Sequence, residues 1–69
     1  MNLTINGERR EFTEFSAAPT VAELLERLDL AGKRIAVEQN GEIVPKSLHG
    51  KTRLADGDRL EIVVAVGGG

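Results

Sequence analysis

No cysteine, tryptophan or tyrosine occurs among the 69 residues, and proline occurs only twice. Without cysteine there is neither a disulfide framework nor a thiolate metal site to support so short a chain. The only aromatic residues are Phe12 and Phe15, so the core must be built from Leu, Ile and Val, and the stacking platform that binds single-stranded nucleic acid is missing. Nine basic residues against eleven acidic ones give a net charge of −2, without the positive footprint of a nucleic-acid binder. There is no run of roughly 18 apolar residues, which argues against a membrane-spanning helix. The opening stretch MNLTINGERR lacks the apolar centre of a signal peptide, so a cytoplasmic location is expected. A single histidine, His49, has no second histidine or cysteine with which to hold a metal. No metal site is expected, and His49 reads as an exposed loop residue beside Gly50. A chain of this length forms one domain that buries only about 60% of its unfolded surface. That leaves little room for an enclosed pocket of about 300 Å3, so an enzyme with a buried site is not expected.

The chain does carry 41% hydrophobic and 29% charged residues, a globular balance. Met1, Leu3 and Ile5 alternate with polar residues, which predicts a strand with one apolar face. Asn6-Gly7 tolerates the positive φ angles of a tight hairpin turn, and a second strand follows from Glu8 to about Phe12. Phe12 is assigned to the core and Phe15 to the strand end or the following loop. Thr20-Val21-Ala22-Glu23 is a capping box: the threonine hydroxyl takes the Glu23 amide and the glutamate reaches back to the Thr20 amide. Val21, Leu24, Leu25 and Leu28 then form one apolar stripe, which predicts a helix from about Val21 to Leu30 with Gly32 as its stop. Short strands follow at Ile35–Val37 and Ile43–Val44, joined by Asn40-Gly41, and Pro45 marks the latter as an edge. Residues 46–55 read as loop with one helical turn. Asp56-Gly57-Asp58 reads as a turn rather than a calcium loop, because the remaining ligands of such a loop are absent. In the last strand Leu60, Ile62 and Val64 alternate with Arg59, Glu61 and Val63, and Val66 keeps the inward parity.

One ten-residue helix must cover the apolar face of a small sheet. The first and last strands are the most apolar and belong side by side in the centre, parallel, with the helix across one face. This is an α+β fold of the β-grasp type, a ubiquitin-like roll with a mixed sheet of four to five strands. The domain is expected over residues 1–64, with residues 65–69 as a flexible glycine-rich tail. Val63 and Ala65 point away from the helix and leave apolar surface on the open side of the sheet, a candidate partner face. Arg9-Arg10 and Lys33-Arg34 read as solvated charges first and partner contacts second.

Gly67-Gly68-Gly69 stands apart. Three glycines after an apolar strand cost conformational entropy and pack nothing. No helix follows them, so they are not a phosphate-binding loop. They read either as a frayed end or cloning remnant, or as a chain end stripped of side chains so that it can thread a narrow channel and present its carboxylate.

INGE at 5–8, TVAELLERL at 20–28, IAVEQNGEIVP at 35–45 and LADGDRLEIVVAVGGG at 54–69 together resemble the ThiS-type sulfur carriers of bacterial thiamine biosynthesis. The resemblance spans nearly the whole chain. The DGD turn, the final strand and the Gly-Gly ending in so short a chain are jointly its most specific part. It implies a β-grasp fold and a protein co-substrate rather than an enzyme. In such a carrier the carboxylate of Gly69 is adenylated and then converted to a thiocarboxylate, while Val66, Gly67 and Gly68 occupy the partner's channel. The implied partners are a ThiF-type adenylyltransferase, which uses ATP and magnesium that this chain does not bind, a ThiG-type thiazole synthase, and a sulfur donor such as a cysteine desulfurase persulfide. The alternatives are a MoaD-like carrier for molybdopterin synthesis, a ubiquitin-like modifier forming isopeptide bonds, and a β-grasp adaptor with an inert tail.

Overall fold

Each Asn-Gly pair supplies two consecutive residues of positive φ, 51° and 83° at Asn6-Gly7 and 51° and 87° at Asn40-Gly41. These are the angles a two-residue hairpin turn requires. The first pair joins β1 (Asn2–Ile5) to β2 (Glu8–Glu11), and the second joins β3 (Ile35–Gln39) to β4 (Glu42–Val44). The computed structural model describes residues 1–15 and 17–65. Among them one helix, α1 (Val21–Arg27), and the last strand, β5 (Arg59–Val64), complete a five-stranded sheet in the order β2-β1-β5-β3-β4. β5 pairs parallel with β1 and antiparallel with β3 at the sheet centre, and β4, followed by Pro45, lies at an edge. This is the β-grasp arrangement expected from the sequence.

Helix α1 begins where the capping box predicts. Thr20 Oγ1 accepts from the Glu23 amide at 3.1 Å, and Glu23 Oε1 accepts from the Thr20 amide at 2.8 Å. The other two free amides of the first turn are taken by the loop after β4: Val21 N–H donates to Thr52 O and Ala22 N–H to His49 O. The helix N-terminus is thus fully satisfied by protein groups. The C-terminus departs from expectation. The helix stops at Arg27, three residues before the predicted end, because Asp29, ahead of Gly32, already takes the left-handed conformation, with φ 62°. Leu30 N–H donates to Leu25 O and Asp29 N–H to Glu26 O, the paired bonds of a Schellman ending. Gly32, also at positive φ, serves the turn that follows.

Leu3, Ile5, Leu60 and Ile62 from the sheet meet Val21, Leu24 and Leu25 from the helix, with Phe12, Val37, Val44 and Leu54 closing the core. Leu28, the helix cap, and Phe15 are half-buried against it. Val64 has the inward parity expected of it but is 39% exposed, because the shortened helix does not reach far enough to cover it.

His49 lies in the loop as expected, but the expectation that it is exposed is corrected. His49 is buried, at 9% exposure, and its Nε2 lies 3.1 Å from Val44 O. A carbonyl only accepts, so Nε2 carries the proton and donates. The segment around it is a 3-10 turn (Lys46–Leu48) that folds back onto the start of α1, and Leu54 N–H donates to Pro19 O as Leu54 enters the core.

The DGD turn docks the start of β5. Asp56 Oδ1 accepts from the Asn2 amide at 2.6 Å, and Gly57 N–H donates to Asn2 O. The Asp58 carboxylate accepts from Ala55 N–H, Gln39 Nε2 and Asn40 Nδ2. Burial alone would raise the pKa of Asp58, but these three donors outweigh it and hold the carboxyl below its ordinary value of 3.8.

Two expectations follow. Leu25→Ala should cost about 2–5 kcal/mol, a large part of the roughly 5 kcal/mol a small domain holds. A urea midpoint equal to the parent's would contradict the helix-on-sheet core. For Asp58 the folded pKa is depressed, so its stabilisation is complete above the unfolded value and is lost as pH falls through the folded one. Asp58→Asn should be less stable than the parent near neutrality and should lose less stability between about pH 6 and about pH 3. Equal acid limbs in the two urea series would show that the carboxylate is not preferentially held.

Candidate functional site

Alternation along β5 sends Leu60 and Ile62 into the core and Arg59, Glu61 and Val63 to the open face. Val63 is 61% exposed and lies directly opposite Ala36 on β3. One row further along, Glu61 lies opposite Glu38, which in turn faces Ile43 on β4, at 75% exposure. The open face near the outgoing end of β5 therefore carries apolar Val63, Ala36 and Ile43 beside two carboxylates. Glu38 and Glu61 are like charges on facing positions of neighbouring strands, an arrangement that costs stability rather than adding to it. The sheet places Val63 where the sequence expects it. Ala65 is exposed, just past the strand, with its amide donating to Arg34 O at 2.9 Å. Ala36 and Ile43 were not singled out from the sequence. Their parity is readable within each strand, but their adjacency to Val63 depends on the strand order.

Val66, Gly67 and Gly68, expected in the partner's channel, and Gly69, expected to be adenylated, lie outside the described residues. The structure describes the platform from which they continue. On the β3 side β5 is paired through Val64, and the Ala65 bond extends that edge. On the β1 side backbone pairing ends at Leu60, opposite Ile5. Beyond it the Asn6 side chain takes over: Ile62 N–H donates to Asn6 Oδ1 at 2.7 Å, and Asn6 Nδ2 donates to Ile62 O at 3.0 Å.

Among the described residues, no group of three or more His, Cys, Asp or Glu side chains is placed to hold a metal ion. No described helix is long and apolar enough to cross a membrane. A depression beside α1, lined in part by Leu25, Leu30, Ile35 and His49, is open to solvent and gathers no chemically reactive cluster.

Fold and platform together define a small β-grasp domain whose central strand leads into a run of glycines. The model of the ThiS family matches residues 3–69. A thiazole synthase of Paramagnetospirillum magneticum is 51% identical over the 69 residues of this chain, which spans 20% of that protein's length. The sulfur carrier protein ThiS of Bacillus subtilis is 42% identical over 50 residues, 72% of this chain and 76% of that one. The crystal structure of the thiamine biosynthesis protein ThiS from Geobacter metallireducens superposes with a TM-score of 0.81 at 36% identity, covering both chains completely. The chain belongs to the ThiS family.

Proposed function

We propose that this chain is a sulfur carrier of thiamine biosynthesis, acting as a protein co-substrate through the carboxylate of Gly69. The observation that carries the reading is the family match itself, which runs through the Gly68-Gly69 ending. A free α-carboxylate has a pKa of about 3.5 and is ionised at neutral pH. It is a poor electrophile but a competent nucleophile toward the α-phosphorus of ATP. Attack forms an acyl–adenylate bond and expels pyrophosphate. A ThiF-type adenylyltransferase would supply the ATP and magnesium site, and the carrier would contribute no general acid or base. A persulfide sulfur from a cysteine desulfurase then attacks the acyl carbon and AMP leaves. A second thiol cleaves the sulfur–sulfur bond, leaving the thiocarboxylate. A ThiG-type thiazole synthase would take the sulfur from it. The thiazole synthase relative, longer than this chain and 51% identical across it, supports that partner.

Glycine suits each of these steps. The acyl-adenylate must be kept from water, so the partner's walls must close on the tail. Val66 and Gly67 would fill the channel entrance and Gly68 its narrowest part, where a Cβ would be excluded. The face formed by Val63, Ala65, Ala36 and Ile43 would dock on each enzyme in turn, with Glu38 and Glu61 meeting basic groups of the partner.

Two measurements test this reading. Incubated with ATP, magnesium, the cognate adenylyltransferase and a sulfur source, the chain should gain the mass of one oxygen replaced by sulfur, located on Gly69. Deleting Gly69 shortens the reach by about 3.5 Å and should sharply reduce activation, and adding one alanine after Gly69 should abolish it. A modifier would yield isopeptide conjugates instead, and an inert adaptor would show no ATP–pyrophosphate exchange. Separately, Val63→Asp should keep stability within about 0.5 kcal/mol of the parent while weakening both enzyme complexes. Unchanged affinity for both would remove Val63 from the interface.

A further inference from the structure

The two Asn-Gly turns share a backbone geometry but differ in what their side chains hold. Asn40 works at the incoming end of β5: its N–H donates to Arg59 O, its Oδ1 accepts from Arg59 N–H and its Nδ2 donates to Asp58. Asn6 works at the outgoing end. Its backbone N–H donates to Leu60 O at 2.9 Å, the last main-chain bond between the β1 segment and β5. The chain then turns away through Gly7, and the next residue of β5 facing that edge, Ile62, would lose its partner. The Asn6 carboxamide supplies both missing bonds, acceptor and donor, in the places a strand backbone would occupy. Only residues that tolerate φ near 51° can stand here, and among them only Asn offers a neutral donor and acceptor on one short side chain.

We propose that Asn6 is a positioning residue for the adenylation step. By standing in for an absent strand beside Ile62, it holds the β1-side edge of β5, while β3 holds the opposite edge through Val64, and the two together set how β5 delivers the glycine tail to the partner's ATP. This rests on the sulfur-carrier reading above. The hydrogen bonds of Asn6 to β5 are to Leu60 and Ile62, and its effect is transmitted along the strand from Ile62. Ala36 and Ile43 of the docking face lie on β3 and β4, which Asn6 does not touch, and Val63 on β5 keeps its pairing with Ala36 when the carboxamide is lost. Loss of the carboxamide should therefore leave docking intact and spoil delivery of the carboxylate.

The test is steady-state ATP–pyrophosphate exchange with the cognate adenylyltransferase and the full chain. Asn6→Gly keeps the positive φ and removes both side-chain bonds. It should lower kcat roughly tenfold with little change in the KM for the carrier, since small misplacements of a reacting group carry losses of that order or more. Amide exchange at Ile62 should accelerate in the same variant. Asn6→Asp keeps the acceptor but turns an anionic oxygen toward the Ile62 carbonyl, and its kcat should also fall. Asn40→Gly removes the corresponding side chain at the other end of β5 and should retain the parent's kcat while folded. A folded Asn6→Gly or Asn6→Asp with the parent's kcat would overturn the proposal, as would equal losses in the Asn6 and Asn40 variants. An inactive parent chain would instead sink the carrier reading on which the proposal stands.

Discussion

The parallel pairing of β1 with β5 is the constraint on which the other contacts depend. It joins the two ends of the described chain: Asn6 reaches Ile62 across 56 positions of sequence, and Asn2 reaches Asp56 across 54. Such long closures cost chain entropy before they return any contact energy. The molecule meets that cost by concentrating interactions on β5. The strand has neighbours on both sides, buries Leu60 and Ile62 beneath the helix, and is clipped at its start by Asp56 and Asp58. The helix contributes its apolar stripe to the same strand, and seven residues suffice because the loop after β4 completes both its cap and the core through Leu54.

Much of this architecture was readable in the residues. Alternation in β1 and β5, the two Asn-Gly turns, Thr20 with Glu23, and Pro45 at an edge are local signals, and local geometry decided each of them. The early end of the helix was not readable, because Asp29, though a residue that tolerates positive φ, adopts it here with Leu30 turning back to bond Leu25, while Gly32 was the stronger local stop signal. His49 and Leu54 were missed for a different reason. Their burial comes from a loop packing on a helix start some thirty residues earlier in the chain, and no periodicity marks such a loop.

The candidate site divides along the same line. Val63 was legible from strand parity alone. Its neighbours Ala36 and Ile43 became part of one surface only when strand order was known, as did the opposed pair Glu38 and Glu61. The glycines at 67–69 lie outside the described residues, and their part in the proposal rests on the sequence and the family match. The role of Asn6 was half legible. Asn-Gly announced a turn, while the use of the asparagine side chain as a substitute strand required the partner strand to be in place.

The doubly bonded Asn6 also bears on how this protein ages. Asn-Gly is the dipeptide most open to deamidation, because the glycine amide nitrogen can attack the asparagine carboxamide carbon, break its bond to the side-chain nitrogen, expel ammonia and close a succinimide. With Oδ1 and Nδ2 both committed to Ile62, the folded protein holds that carboxamide away from its own backbone. An unfolded or frayed chain has no such restraint. Hydrolysis of the imide would replace a neutral donor by a carboxylate facing a carbonyl oxygen, in some products with an extra methylene in the main chain. Time spent unfolded would thus be recorded covalently at the turn beside β5, at the cost of the donor that Asn6 gives to Ile62.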